Sequence, residues 1–251
     1  MKKMFISFLI TTFLLSGCVS ADIDANETQP NVQQNENLTA TKNEDVSEEQ
    51  VSYEIVYNNL TLWKNSIDTT WGRGFVGIKN TGNVNLYLSN GKFDIENPDG
   101  TLATTKDYIN VYPQVIAPGE TAYYYMCTTM EELSLETEYK IVPKVDAKKA
   151  TVELIRYGVS EVSIVDSSFL GVEVVARVEN TGSETESMPK VAAILFDADG
   201  NPISCMMTYG DEFAPGEKQG VKATELSSHP DVTSSAVASY EIYAYPEQYQ
   251  F

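Results

Sequence analysis

An internal repeat limits the possible folds of this 251-residue chain more than any other feature. Three turn motifs occur twice, in the same order: Asn-Thr-Gly at 80–82 and 180–182, Asp-Gly at 99–100 and 199–200, and Ala-Pro-Gly-Glu at 117–120 and 214–217. The first two motifs recur at an offset of one hundred residues and the third at ninety-seven. This spacing predicts two tandem copies of one domain, copy one at 51–148 and copy two at 150–251.

Each copy has the sequence pattern of an all-β domain. Short runs rich in Val, Ile, Tyr and Thr alternate with turn signals, as in sandwich domains. Strict alternation predicts that Phe93 and Ile95, with Ala193 and Leu195 in copy two, face inward. The glycines of Asn-Thr-Gly, Asp-Gly and Pro-Gly are each expected in turns that need a positive φ. The expected fold is a tandem pair of two-sheet, immunoglobulin-like β-sandwiches with six or seven strands each.

These motifs resemble the FxLYD-type domains of bacterial envelope proteins. The stretch that names the family corresponds to "FDIEN" at 93–97 and "AILFD" at 193–197. Copy two has Ala193 in place of the phenylalanine but keeps Phe196 and Asp197, whereas copy one keeps only the phenylalanine. The resemblance implies an extracellular, immunoglobulin-like β-sandwich, and it implies no catalytic residues.

The N-terminus has the layout of a lipoprotein signal. A basic "MKK" precedes an apolar run at 4–15, which is too short to span a membrane comfortably, and "LSGC" follows, ending at Cys18. "LSGC" resembles the lipobox of bacterial lipoproteins. The resemblance implies that a signal peptide at 1–17 is removed and that Cys18 carries a lipid. The protein would then be anchored in the cell envelope, on the outer side of the bacterial cytoplasmic membrane.

The segment 18–50 and the net charge indicate how the two predicted domains would be held at the membrane. Residues 18–50 are polar and acidic and lack aromatic side chains, which predicts a disordered tether. Removal of Lys2 and Lys3 with the signal takes the formal charge from −19 to −21. This charge argues against nucleic acid as a partner and against the body lying on anionic lipid.

Few residues suggest a metal-binding or catalytic site. Cys127 and Cys205 have no metal-binding spacing, and separate buried thiols are favoured over a disulfide. His229 precedes a proline, which predicts a loop, and the sequence has no catalytic or nucleotide-binding motif. We therefore expect a protein that is not an enzyme and needs no cofactor.

The stretch "DADGNP" at 197–202 could be a calcium loop or a hairpin turn. In an EF-hand the glycine comes two residues later than Gly200 does, and a glutamate is needed where Met206 stands. The hairpin is favoured, and no metal site is predicted.

One strand differs between the copies on its outward face. Copy two has Ile194 and Phe196 where copy one has Asp94 and Glu96. Apolar side chains on an outer face need a cover. In one interpretation, a loop, a strand edge or copy one covers these side chains. In the other, they bind an unidentified envelope protein.

Three aromatic residues are candidates for binding a glycan: Trp63, Trp71 and Tyr124. Packing in the core or along strands is the favoured explanation for them, and a ligand platform is the alternative. The sequence thus predicts a surface binding, interaction or accessory module, with a carbohydrate-binding or adhesive lipoprotein as the alternative.

Overall fold

The computed structural model describes residues 48–167, 171–225, 229–247 and 250. Within these ranges the chain is all-β, and its single helical element is the 3-10 turn η1 at Ser234–Ala236. No helix in these ranges is long and apolar enough to cross a membrane. The predicted signal peptide, Cys18 and most of the predicted tether lie outside the described residues.

Copy one contains nine strands. They are β1 (Tyr53–Lys64), β2 (Thr70–Asn80), β3 (Leu86–Leu88), β4 (Gly91–Glu96), β5 (Leu102–Tyr112), β6 (Val115–Ile116), β7 (Thr121–Thr129), β8 (Lys140–Lys144) and β9 (Ala147–Lys149). The main sheet has the order β1-β2-β7-β5-β4-β8, and β6-β3-β9 form a small second sheet. β5 pairs with β7 only over Asn110–Tyr112 and with β4 along its earlier part. The main sheet therefore folds over at β5 into two facing layers.

The described residues of copy two form six strands. They are β10 (Gly158–Ser167), β11 (Gly171–Glu179), β12 (Lys190–Phe196), β13 (Pro202–Tyr209), β14 (Lys218–Thr224) and β15 (Ser239–Tyr245). They form two sheets with the orders β10-β11-β14 and β13-β12-β15. These orders match β1-β2-β7, which we call the front layer, and β5-β4-β8, the back layer. The predicted tandem β-sandwich is confirmed, and copy one exceeds the expected strand number through its short strands β3, β6 and β9.

The alternation of inward and outward side chains along each strand determines which residues form the two cores. Phe93 and Ile95 in β4, and Ala193 and Leu195 in β12, are fully buried, as predicted. In copy one they pack against Val76 and its neighbours on β2 in one continuous core. Burial of these side chains between the layers is the main stabilising contribution to each sandwich.

The asparagine of each Asn-Thr-Gly motif is buried and holds the same turn in both copies. Asn80 is 1% exposed and Asn180 is 0% exposed. Each side-chain amide donates to two main-chain oxygens, and each side-chain oxygen accepts from the glycine of its own motif. The distances are 2.8 Å to Val84 and 3.2 Å to Ile116 for Asn80, and 2.8 Å to Glu184 and 3.0 Å to Phe213 for Asn180. Full satisfaction of these buried polar groups fixes the path of the chain at matching places.

The glycines of the turns behave in two ways. Those of Asp-Gly and Pro-Gly have φ between 77° and 85°, as predicted, at Gly100, Gly119, Gly200 and Gly216. The glycines of Asn-Thr-Gly do not have positive φ, so that expectation is wrong for Gly82 and Gly182. At Gly82 the reason for glycine is space, because a Cβ would lie 2.1 Å from the main-chain oxygen of Gln50.

The front layer of copy one packs on the back layer of copy two. Phe75, Tyr112 and Tyr123 of copy one share one buried cluster with Ile194 and Phe196 of copy two. Ile194 is fully buried and Phe196 is 7% exposed, and the rings of Tyr123 and Phe196 meet edge to face at 5.8 Å. Copy one is therefore the cover of these outward apolar side chains. Of the two interpretations that the sequence left open, cover by copy one is the one observed, and a surface open to a partner is not.

The two remaining outer faces carry ion pairs. On the back layer of copy one, Asp94 lies 3.6 Å from the ammonium of Lys144. On the front layer of copy two, Arg177 pairs with Glu161 at 2.9 Å. The sequence difference between the equivalent strands β4 and β12 thus distinguishes a solvated outer face from a buried one.

Candidate functional site

A cleft of about 750 Å³ opens beside the packed cluster and has walls from both copies. Its size is within the range of small-molecule sites. Copy one contributes β5, β7 and the start of β2, and copy two contributes β13 and the end of β14. We call it the inter-copy cleft and define it by Trp71, Tyr108, Asn110, Tyr125, Met207 and Glu225.

Tyr108 stands at the cleft in an unusual backbone conformation. Its φ is +57° and its side chain is 86% exposed. The pairing of β4 with β5 shifts register here, so that Asp107 and Tyr108 together oppose one residue of β4. A left-handed conformation costs a residue with a side chain about 1–2 kcal/mol, and such strain is concentrated at functional sites.

The strained tyrosine is specific to copy one. At the equivalent place in copy two, Thr208 pairs with Val191 in regular register. The shift at the other end of the strand is shared by the two copies, between Ile95 and Glu96 and between Leu195 and Phe196. The extra bulge at Tyr108 is thus an addition to the common fold, and bulges commonly re-aim a side chain.

Trp71 is the predicted binding residue that lines the cleft. It is half-buried, and its ring stacks on Trp63 with centroids 6.5 Å apart. Trp63 itself is 7% exposed and meets the ring of His229 edge to face at 5.0 Å. Trp63 therefore supports Trp71 from behind, and its predicted role as an exposed platform is wrong.

Tyr124 belongs to the core of copy one. It is 1% exposed, and its hydroxyl donates to the main-chain oxygen of Ser89 at 2.7 Å. Its strand neighbours Tyr123 and Tyr125 point the other way, toward copy two. The prediction of an exposed Tyr124 is wrong because the alternation places it with Ala122 and Met126, which face inward.

Glu225 is the buried acidic residue of the cleft, and sequence reasoning missed it. It is 4% exposed, Ser204 donates to its Oε2 at 2.7 Å, and its buried Oε1 has no hydrogen-bond partner among the described residues. Burial raises the pKa of Glu225 to about 8, and the nearby positive charge of Arg73 opposes that rise. At neutral pH the carboxyl is mostly protonated, so it can donate as well as accept hydrogen bonds. The alternation of residues along and just after β14 could have revealed it, because Val221, Ala223 and Glu225 share one inward face.

The two cysteines also line the cleft. Both are present as thiols; Cys205 is buried and Cys127 is half-buried. Burial raises the pKa of the Cys127 thiol to about 11 and raises that of Cys205 further. Thiolate is therefore scarce at neutral pH, which makes both groups poor nucleophiles.

The stretch "DADGNP" forms the predicted hairpin turn between β12 and β13. Asp197 Oδ1 accepts from the main-chain nitrogens of Asp199 and Asn201 at 3.0 and 2.8 Å. These bonds lower the pKa of Asp197. The carboxylate thus serves its own turn, and the described part of the chain has no cluster of three or more His, Cys, Asp or Glu placed for a metal ion.

The fold and the cleft define the class of the molecule as a tandem β-sandwich protein with a cleft between its copies. No protein-family model matches the chain, and no curated protein sequence matches it. One similar solved structure is the N-terminal CBM22-1-CBM22-2 tandem domain of Paenibacillus barcinonensis Xyn10C. It is 8% identical, the match covers 80% of this chain and 86% of that one, and the TM-score is 0.17. A TM-score this low carries no argument, so the fold assignment rests on strand order and burial alone.

Proposed function

We propose that this chain is a non-enzymatic, lipid-anchored binding protein of the bacterial cell envelope and that the inter-copy cleft is its ligand site. The observation that carries the proposal is Tyr108, an exposed aromatic residue held in a strained conformation at the cleft. The strain does not serve to bury the ring, because the residue is 86% exposed. A ligand on the ring would offset it.

The chemistry of the cleft supports binding rather than catalysis. Its thiols have raised pKa values, and Glu225 is buried behind a hydrogen bond from Ser204. Covalent catalysis needs an activated nucleophile within reach of a base. A lining of aromatic and apolar side chains with a few polar groups is typical of sites that bind small molecules.

The location rests on the N-terminal signal and on the resemblance of the copies to FxLYD-type domains. The anchor is tested by Cys18→Ala, with Cys127→Ala as the control. Cys18→Ala should move the protein from the membrane fraction to the soluble fraction and remove the lipid mass, whereas Cys127→Ala should do neither. A membrane-bound Cys18→Ala protein of unchanged mass would contradict the anchor.

The site is tested by co-sedimentation of the full-length protein, in detergent, with purified cell wall and with the peptidoglycan prepared from it. Tyr108→Ala is compared with Tyr240→Ala, which removes an exposed tyrosine outside the cleft. We expect one fraction to bind the wild type and Tyr240→Ala equally, and to bind Tyr108→Ala at least tenfold less. The proposal fails if neither fraction binds the wild type or if both variants bind alike.

A further inference from the structure

We infer that the inter-copy cleft binds a neutral saccharide, with a sugar ring packed against Tyr108 and Trp71. The inference rests on the proposed function, since it assumes that the cleft is the ligand site, and it adds the chemical class of the ligand.

The aromatic side chains supply the apolar half of such a site. A pyranose ring presents C–H bonds on its faces and hydroxyls around its rim. Tyr108 is almost fully exposed, and Trp71 lies half-exposed on the same cleft with its other face on Trp63. Aromatic rings with one wet and one apolar side suit a ligand that is itself apolar on its faces and polar at its rim.

The remaining lining supplies hydrogen-bonding groups that have no partner in the part of the chain that the structure describes. The side chains of Asn110, Thr128 and Thr224 line the cleft and make no hydrogen bond among the described residues. Glu225 Oε1 and the hydroxyl of Tyr125 are buried and unbonded there as well. Each unsatisfied buried group costs about 1–3 kcal/mol. A ligand with many hydroxyls, each able to donate and accept, matches this set of groups.

The charges favour a neutral sugar over an acidic one. Lys106 is the single basic residue among those lining the cleft, and its ammonium is bound to Glu132 at 2.8 Å. The whole chain has a formal charge of −19, which repels anionic polymers.

The experiment uses tryptophan fluorescence, because Trp71 lies on the proposed platform. The chain has two tryptophans, so Trp63→Phe leaves Trp71 as the reporter. The probes are chitotetraose, maltotetraose and xylotetraose, with tetragalacturonate as the acidic comparison. We expect at least one neutral sugar to change the emission of Trp71 with saturation, and tetragalacturonate to bind at least tenfold more weakly.

The role of Tyr108 is tested in the Trp63→Phe variant. Tyr108→Ala should raise the Kd of the neutral sugar at least tenfold, and Tyr240→Ala should leave it unchanged. Tyr108→Gly serves as a second variant, because glycine adopts the positive φ without strain and so keeps the protein folded. It should also raise the Kd at least tenfold.

The inference is overturned if no neutral sugar binds, if tetragalacturonate binds more tightly, or if both Tyr108 variants keep the wild-type Kd. If sugars fail while co-sedimentation still depends on Tyr108, the ligand class is wrong and the proposed binding function stands. If co-sedimentation is also independent of Tyr108, the proposed function fails too.

Discussion

Arg156 of copy two donates a hydrogen bond from Nη2 to the main-chain oxygen of Val115 in copy one, 2.6 Å away. Its guanidinium also lies 3.5 Å from Glu120 and above the rings of Tyr243 and Tyr245. In the other direction, Arg73 of copy one donates to the main-chain oxygen of Ile203 in copy two. Each copy thus sends one arginine to the backbone of the other, and these bonds fix the orientation that the apolar cluster alone would leave free.

Arg156→Met should weaken the contact between the copies. Methionine keeps much of the apolar volume but has no donors, so Val115 and Glu120 lose a charged partner. We expect the free energy of unfolding to fall by about 2 kcal/mol in urea denaturation. The matched control is Arg177→Met, which removes an exposed pair with Glu161 and should cost less than about 0.5 kcal/mol. Equal losses in the two variants would contradict the role of Arg156.

Phe196→Asp should be among the most damaging substitutions in the chain. It places a carboxylate in the apolar cluster between the copies, beside Tyr123. The loss should be at least about 3 kcal/mol in the free energy of unfolding, measured in urea. Glu96→Asp at the matching position of copy one is the control and should stay within about 0.5 kcal/mol of the wild type. An unchanged midpoint for Phe196→Asp would refute the buried contact.

Asn80→Ala and Asn180→Ala should have similar effects, because the two side chains make the same three hydrogen bonds. Each substitution leaves buried main-chain groups unsatisfied, and we expect a loss of about 2–3 kcal/mol from each. Asn59→Ala, which removes an exposed bond to Thr61, is the control and should cost less than about 0.5 kcal/mol. The free energies of unfolding of the three variants are measured by chemical denaturation. A small loss at either buried asparagine would contradict the equivalence of the two turns.

Glu225 should make the stability fall as the pH rises. Its folded pKa of about 8 lies above the ordinary glutamate value of 4.5. Between these values the folded protein keeps a proton that the unfolded chain has released. The contribution is therefore complete at low pH and is lost as the pH approaches 8.

The measurement is the urea midpoint from pH 5.5 to pH 8 for the wild type and Glu225→Gln. The free energy of unfolding of the wild type should fall, relative to the variant, by up to about 1 kcal/mol per pH unit. Glu212→Gln, at an exposed glutamate, should keep the wild-type pH dependence. Parallel pH profiles for the wild type and Glu225→Gln would rule out this role for the buried carboxyl.

The repeat predicted the common part of the fold well. Asn80 and Asn180, one hundred residues apart, sit in the same hydrogen-bonded turn, and the inward positions around Phe93 and Ala193 are buried. These features depend on local turn chemistry and on alternation along single strands. Both can be read from short stretches of sequence.

The candidate site was harder to predict because it depends on how the copies pack. Ile194 and Phe196 face outward from their own sandwich, as the pattern indicated, but no local signal says that copy one covers them. The register of three consecutive tyrosines was ambiguous, and Tyr124 proved to be the inward one. The bulge at Tyr108 lacks the glycine that usually marks a positive φ, so nothing in the sequence pointed to it.

The contact between the copies has a consequence for assembly. Copy one offers its front layer and copy two its back layer, so the joined surfaces are different, and contacts of that heterologous kind can continue into open fibres. The free front layer of copy two carries Glu173 and Arg177, and the free back layer of copy one carries Asp94 and Glu96. Joining molecules end to end would bury these ion pairs, at a cost in desolvation. The charged groups on the two free faces therefore oppose end-to-end stacking of molecules.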